Sequence, residues 1–185
     1  MTEADGMIHA KVWGILPKDR VEIKTKKENV DYRKLIAAGS CFAEGEEVID
    51  YGFVERWILG LEEKYGVEVM QVGYDRYNAI STVQKLEANS MECVEVKQHS
   101  SVLHPPTKLL REAILKKEFA YDENRLLEIN FQNARCTEDT NLNKYVNKKR
   151  SAGKVDMVVS TIIAVYLMQQ AMLDNSELDW GIQVI

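Results

Sequence analysis

The sequence predicts an α/β fold built around a parallel or mixed central sheet, and three stretches carry this prediction. Residues 67–75 form a β-branched, mostly apolar run between two helical patterns, which is typical of a central strand. Residues 51–65 repeat apolar side chains at helical spacing. Residues 154–173 are apolar on almost every side, which indicates a buried helix.

The chain opens with a turn signal, the hairpin-forming dipeptide Asp5-Gly6, which leads into a predicted strand at residues 7–16. Residues 1–5 are polar, so no strand is predicted before the turn. We therefore expect that the strand pairing with residues 7–16 is missing, either removed or encoded elsewhere, and that the chain begins inside a domain. A frayed N-terminus is the alternative.

The elements up to the central strand follow from caps and breakers. Asp50 is a good N-cap for the helix at residues 51–65, and Gly66 ends it. The other predictions are a charged irregular segment at 17–29, a short helix at 31–38, and extended pieces at 40–43 and 46–49.

After the central strand, helical and extended patterns alternate. Pro105-Pro106 is expected to open a helix, because proline is tolerated in a first turn. The other predictions are helices at 76–89, 105–117 and 125–135, strands at 91–97 and 119–121, loops at 98–104 and 137–152, and a helix break at 174–176. We expect one domain over residues 1–185, with a core at 7–173 and a tail at 174–185.

Composition excludes several classes of protein. The chain has 185 residues and a net charge of −5, which suits one ordinary globular domain and does not by itself indicate nucleic-acid binding. Three cysteines without close spacing argue against a disulfide framework and a zinc site. There is no signal-peptide pattern and no uncharged apolar run of about 18 residues, so we expect a cytoplasmic protein.

Two carboxylates stand at positions where chemistry is often found. Asp75 follows the predicted central strand, and ligands meet such sheets at the carboxyl ends of their strands. Asp156 opens the buried helix, where an ionised carboxylate among apolar residues needs a partner or a cation. If the two converge, they form a hard-oxygen site for Mg²⁺ or Mn²⁺. In the alternative, each aspartate only caps a helix.

A basic run precedes the second carboxylate, and it is the predicted contact for backbone phosphates beside a metal. Such a run is more often a solvated surface. Its members are Lys144, Lys148, Lys149 and Arg150.

Several short motifs, in this order and spacing, resemble the nuclease domain of the large terminase subunit of tailed bacteriophages. The resemblance extends from about residue 7 to residue 173. Asp50 at the start of a helix and Asn133 before the basic run also fit it. The motifs are Gly73-Tyr74-Asp75-Arg76-Tyr77-Asn78-Ala79, Pro105-Pro106-Thr107-Lys108 and Gly153-Lys154-Val155-Asp156.

The resemblance implies a ribonuclease H-like fold, with a mixed central sheet and helices on both faces. It implies a Mg²⁺- or Mn²⁺-dependent endonuclease that cuts concatemeric double-stranded viral DNA during packaging in the bacterial host cytoplasm. Asp75 and Asp156 match two of the family's catalytic aspartates. The implied partners are double-stranded DNA, the terminase ATPase domain, the portal and the small terminase subunit, with no membrane.

One family feature has no counterpart. The family's first strand carries a further catalytic aspartate that nothing in this sequence matches, and Asp5 lies in the turn after that strand. No P-loop motif occurs either. We therefore expect weak or absent cleavage. The alternatives are another ribonuclease H-like nuclease of the resolvase or transposase type, or a non-catalytic docking module.

Overall fold

The strands are short and belong to several small sheets. The computed structural model describes residues 2–4, 6–76 and 79–179, and the side chains of residues 6–76 and 79–174. The strands in chain order are β1 (Thr2–Ala4), β2 (Met7–Ala10), β3 (Gly14–Leu16), β4 (Cys41–Ala43), β5 (Val72–Tyr74), β6 (Cys93–Glu95), β7 (Phe119–Tyr121), β8 (Cys136–Glu138) and β9 (Lys144–Val146).

The sheet is mixed, as predicted, but it is not continuous among these residues. Strand β2 lies between β1, its antiparallel partner, and β7, its parallel partner. Parallel pairs also join β3 to β4 and β5 to β6, whereas β8 and β9 are antiparallel. The predicted strand at 7–16 is interrupted at residues 11–13, so that its two halves pair with different neighbours.

A strand, β1, precedes the turn signal and pairs with β2. The expectation that the strand pairing with residues 7–16 is missing is therefore wrong. Thr2 to Ala4 pair in register with Met7 to His9, and Gly6 has the positive φ of 74° that this turn favours. Three residues were enough to form the hairpin. The short strand β1 contains no aspartate.

The central strand is shorter than the apolar pattern predicted. Only residues Val72–Tyr74 pair, with β6, and Met70 is 70% exposed. Glycine explains how this strand packs. A Cβ atom added at Gly73 would lie 2.6 Å from Ile163 Cγ2 and 2.9 Å from Leu167 Cδ1. Because glycine has no side chain here, the backbone of β5 lies directly on the last helix.

The helices follow their caps more closely than their predicted ends. Asp31 accepts a hydrogen bond from Lys34 N at 3.2 Å, and Asp50 accepts one from Gly52 N at 2.8 Å, as the capping pattern indicates. The helices are α1 (Val21–Glu28), α2 (Tyr32–Ala37), α3 (Tyr51–Leu59), α4 (Leu61–Tyr65), α5 (Ile80–Ala88), α6 (Ser100–Lys116), α7 (Arg125–Asn133) and α8 (Asp156–Asp179).

Several of these elements correct the sequence predictions. The segment at 17–29 is not irregular: it contains a short 3-10 helix and α1, which was missed because it buries no residue and so shows no apolar face. Residues 46–49 form no strand, and Gly60 divides the helix predicted at 51–65. The loop predicted at 137–152 contains the hairpin of β8 and β9.

The proline pair does not open its helix. Helix α6 begins at Ser100, where His99 accepts a hydrogen bond from Ser101 N at 3.3 Å. Pro105 and Pro106 therefore lie in the second turn, where each removes one backbone hydrogen bond. The helix tolerates this loss because it packs against α8. Pro106 itself is fully buried.

The core surrounds α8, as the apolar pattern predicted. Val158, Ile162 and Val165 are almost completely buried and belong to a cluster that includes Val96 and Leu110. Residues Asp156–Asp174 are long and apolar enough to cross a membrane by length and composition alone, but a buried core helix meets the same test. The helix continues to Asp179, so the predicted break at 174–176 is wrong. The rest of the predicted tail, residues 180–185, lies outside the described residues.

Candidate metal and nucleic-acid site

Asp156 is exposed, which corrects the expectation that it faces the core. The apolar residues of α8 cover the inner side, where Val155, Met157 and Val159 are buried, while Asp156 and Ser160 share the exposed side. The carboxylate is therefore hydrated, and 64% of its side-chain surface is accessible. The penalty for burying a charge plays no part here, so the need for a cation cannot be argued from burial.

The start of α8 is held by asparagines of α7, a feature that sequence reasoning missed. Asn130 is buried, accepts a hydrogen bond from Met157 N at 3.2 Å, and donates one to Leu126 O at 2.8 Å. Asn133 Nδ2 donates to Lys154 O at 3.2 Å. These bonds satisfy backbone groups around the first turn of α8. They hold this turn, and with it Asp156, against α7.

Asp75 follows the last residue of β5 and is exposed. The predicted helix at 76–89 begins only at Ile80, and its N-cap residue is Ala79. Asp75 therefore does not cap this helix, so the capping alternative is wrong for this residue. Strand β5 and the carboxylate that follows it are joined to α8 through the contact of Gly73 with Ile163 and Leu167.

The basic run is a turn that follows a hairpin, and its members have different surroundings. Lys144, in β9, forms an ion pair with Glu138 at 2.9 Å. Lys148 Nζ lies 3.3 Å from Asp156 Oδ1, so the structure brings this predicted DNA contact to the predicted metal ligand. Lys149 and Arg150 are exposed, and their backbone N–H groups donate to Asn147 Oδ1. An exposed pair such as that of Lys148 contributes at most about 1 kcal/mol to stability.

A cleft of about 190 Å³ lies beside Asp156. Helix α8 forms one wall, and α1 and α2 contribute Lys24 and Tyr32. Burial and the nearby carboxylate of Glu28 raise the pKa of Tyr32, and the negative charge of Asp156 adds to this effect. Asp75 is not among the residues that line the cleft.

The described residues contain no group of three or more His, Cys, Asp and Glu side chains arranged to hold a metal ion. Two carboxylates nevertheless suit Mg²⁺, which usually takes one or two carboxylates and keeps several waters. The three cysteines are unpaired, and burial raises the pKa of the Cys41 thiol to about 11. Burial also raises the pKa of Cys93 and of Cys136, which disfavours the reactive thiolate form.

Comparison with known proteins identifies the family. Residues 1–172 match the family described as the terminase large subunit, endonuclease domain. The chain belongs to this family. No curated protein matches this terminase nuclease domain.

Two solved structures share its fold. The crystal structure of the HK97 bacteriophage large terminase matches with a TM-score of 0.74 and 19% identity, over 83% of this chain and 32% of that one. The large terminase nuclease from thermophilic phage G20c matches with a TM-score of 0.50 and 19% identity, over 64% of this chain and 62% of that one. The present chain therefore spans less than two thirds of either protein.

Proposed function

We propose that this terminase nuclease domain is a Mg²⁺- or Mn²⁺-dependent endodeoxyribonuclease of ribonuclease H-like fold, which cuts concatemeric double-stranded viral DNA during packaging. The observation that carries the proposal is the placing of an exposed carboxylate, Asp156, at the start of the core helix and beside the basic turn. A second exposed carboxylate, Asp75, follows a strand that packs on the same helix.

Asp75 and Asp156 are the proposed metal ligands. Both are exposed, and their oxygens are the donors that Mg²⁺ and Mn²⁺ prefer. When bound, the cations supply a water of lowered pKa and neutralise the leaving oxygen of the phosphodiester. The chain itself orients Asp156 through the asparagine contacts of α7 and holds the β5 backbone against α8.

The basic turn is the proposed DNA contact. Lys148, Lys149 and Arg150 are exposed, and Lys148 lies beside Asp156. Lys144 lies earlier, at the start of β9. Phosphate contacts of this kind fix the position and orientation of a duplex without reading its sequence. Lys148 forms an ion pair with Asp156 in the absence of DNA. When Asp156 binds a cation and Lys148 binds a phosphate, these two interactions would replace that ion pair.

We further propose that the chain cleaves DNA weakly or not at all, because it offers no match to the family's first-strand aspartate. Its partners would be the ATPase domain, the portal and the small terminase subunit, in the cytoplasm of the bacterial host. A plasmid-nicking assay with Mg²⁺ and Mn²⁺ tests the activity. Robust nicking that Asp75→Ala abolishes would contradict the claim of weak activity.

Thermal unfolding with added Mn²⁺ or Mg²⁺ tests the metal ligands. We expect the cation to raise the Tm of the wild-type chain, and Asp75→Asn or Asp156→Asn to remove most of this rise. Asp19→Asn is the matched control, because Asp19 is an exposed aspartate outside the proposed site. An equal rise in Tm in all four proteins would exclude the two aspartates as ligands.

The second candidate function is a non-catalytic docking module. The ion pair between Lys148 and Asp156 favours it, since that contact already gives the carboxylate a structural partner. In this case the cation would not change the Tm at all, and Asp156→Asn would change stability by no more than about 1 kcal/mol.

A further inference from the structure

The cleft beside Asp156 has a basic wall that the basic turn does not provide. Lys24, on α1, lines this cleft, and so does Lys154, which immediately precedes α8. Together with Lys148, whose Nζ lies 3.3 Å from Asp156, these lysines come from three separate parts of the chain. Glu28 pairs with Lys24 and Asp156 pairs with Lys148, so these three ammonium groups face two carboxylates and one positive charge is left over. The excess positive charge indicates a site for a further anion.

Lys24 differs from the other lysines of its own helix. Lys26 and Lys27 are exposed, whereas the side chain of Lys24 is only 31% exposed. Lys24 lies on the less exposed side of α1, together with Val21, which packs against the core, and Glu28. Of the three lysines of this helix, Lys24 is therefore the one that faces the rest of the domain.

A short network fixes Lys24 at the cleft. Its Nζ lies 3.8 Å from Glu28 Oε1, and Glu28 Oε2 accepts a hydrogen bond from the Tyr32 hydroxyl at 2.6 Å. Tyr32 and Asp156 both line the cleft. The network thus connects α1 to α2 and directs one lysine of α1 to the side of Asp156.

We propose that Lys24, assisted by Lys154, binds a backbone phosphate of the DNA strand that passes Asp156. The proposal rests on the proposed function and adds a contact on the wall formed by α1, away from the basic turn. A lysine is suited to this task, because its ammonium group binds a phosphate oxygen as a point charge and reads no base. The DNA strand would then be held by Lys148 on one side and by Lys24 on the other.

Equilibrium binding of a fluorescent DNA duplex in EDTA, over a series of salt concentrations, tests this contact without cleavage. One phosphate contact contributes about 0.9 to the slope of log K against log salt, so its loss weakens binding about fivefold near 0.15 M salt. We expect Lys24→Ala to show this weaker binding and smaller slope, and Lys24→Arg to restore both.

Lys27→Ala is the matched control, since it removes the same charge from the exposed side of the same helix. Equal affinities and slopes for Lys24→Ala and Lys27→Ala would overturn the proposal, as would a wild-type chain that does not bind the duplex. If Lys24→Ala fails to fold, Lys24→Met keeps the aliphatic stem and tests the charge alone. Because EDTA removes the cation, this result is separate from the thermal test of Asp75 and Asp156, which can fail independently.

Discussion

The contact between strand β5 and helix α8 provides the sharpest test of how this domain positions its carboxylates. Gly73→Ala would introduce a methyl group 2.6 Å from Ile163 Cγ2 and 2.9 Å from Leu167 Cδ1, closer than such atoms approach in folded proteins. Overpacking of this kind costs about 1–3 kcal/mol. The lower entropy of the unfolded chain returns about 0.4–1 kcal/mol. We therefore expect a net loss of about 1–2 kcal/mol.

Urea or thermal unfolding measures this loss, which corresponds to a fall in Tm of about 2–8 °C for a domain of this size. The matched control is a double-mutant cycle with Ile163→Ala, which removes the methyl group that the new side chain meets. The double variant should lose less stability than the sum of the single variants, by about 1 kcal/mol or more. If Gly73→Ala leaves the unfolding midpoint unchanged, or the two changes are simply additive, then β5 is not held against α8 as described.

Two further predictions concern polar contacts, one at Asn133 beside the start of α8 and one at Asp139 in the loop between β8 and β9. Gly153→Ala would place a Cβ atom 2.7 Å from Asn133 Nδ2. We therefore expect a lower midpoint in urea unfolding and weaker DNA binding by fluorescence anisotropy. An unchanged midpoint together with unchanged affinity would contradict this prediction. Hydrogen bonds from the Ser100 hydroxyl and from Asn143 hold the pKa of Asp139 well below its usual range. The ionised Asp139 therefore stabilises the folded state above the unfolded-state pKa, and this stabilisation is lost as the pH falls through the folded-state pKa. The stability difference between wild type and Asp139→Asn, measured by urea unfolding, should therefore shrink below about pH 4, and a difference that grows there would be inconsistent with this cause.

Much of the fold could be predicted from local pattern. The N-caps at Asp31 and Asp50 and the strand at Phe119–Tyr121 are confirmed, because each depends on neighbouring residues only. Helix α1 and the hairpin of β8 and β9 were missed. Neither has a clear apolar face, so hydrophobic periodicity gives no signal there.

The site was predictable in part. The basic turn and Asp156 are close in sequence, and Lys148 forms an ion pair with Asp156 in the structure, while the predicted roles in DNA and metal binding stay predictions. The burial of Asp156 was predicted wrongly, since an almost wholly apolar helix can still have an exposed stripe at its first turn. Lys24 could not be found from sequence, because only the folding of α1 and α2 brings it beside α8.

The central claim is that Asp75 and Asp156 share divalent cations, and a crystal structure with bound Mn²⁺ tests it most directly. The proposed function predicts anomalous scattering peaks in contact with both carboxylates, with the two groups within roughly 4–7 Å of each other. Mn²⁺ peaks elsewhere only, or carboxylates too far apart for common or neighbouring ions, would contradict it.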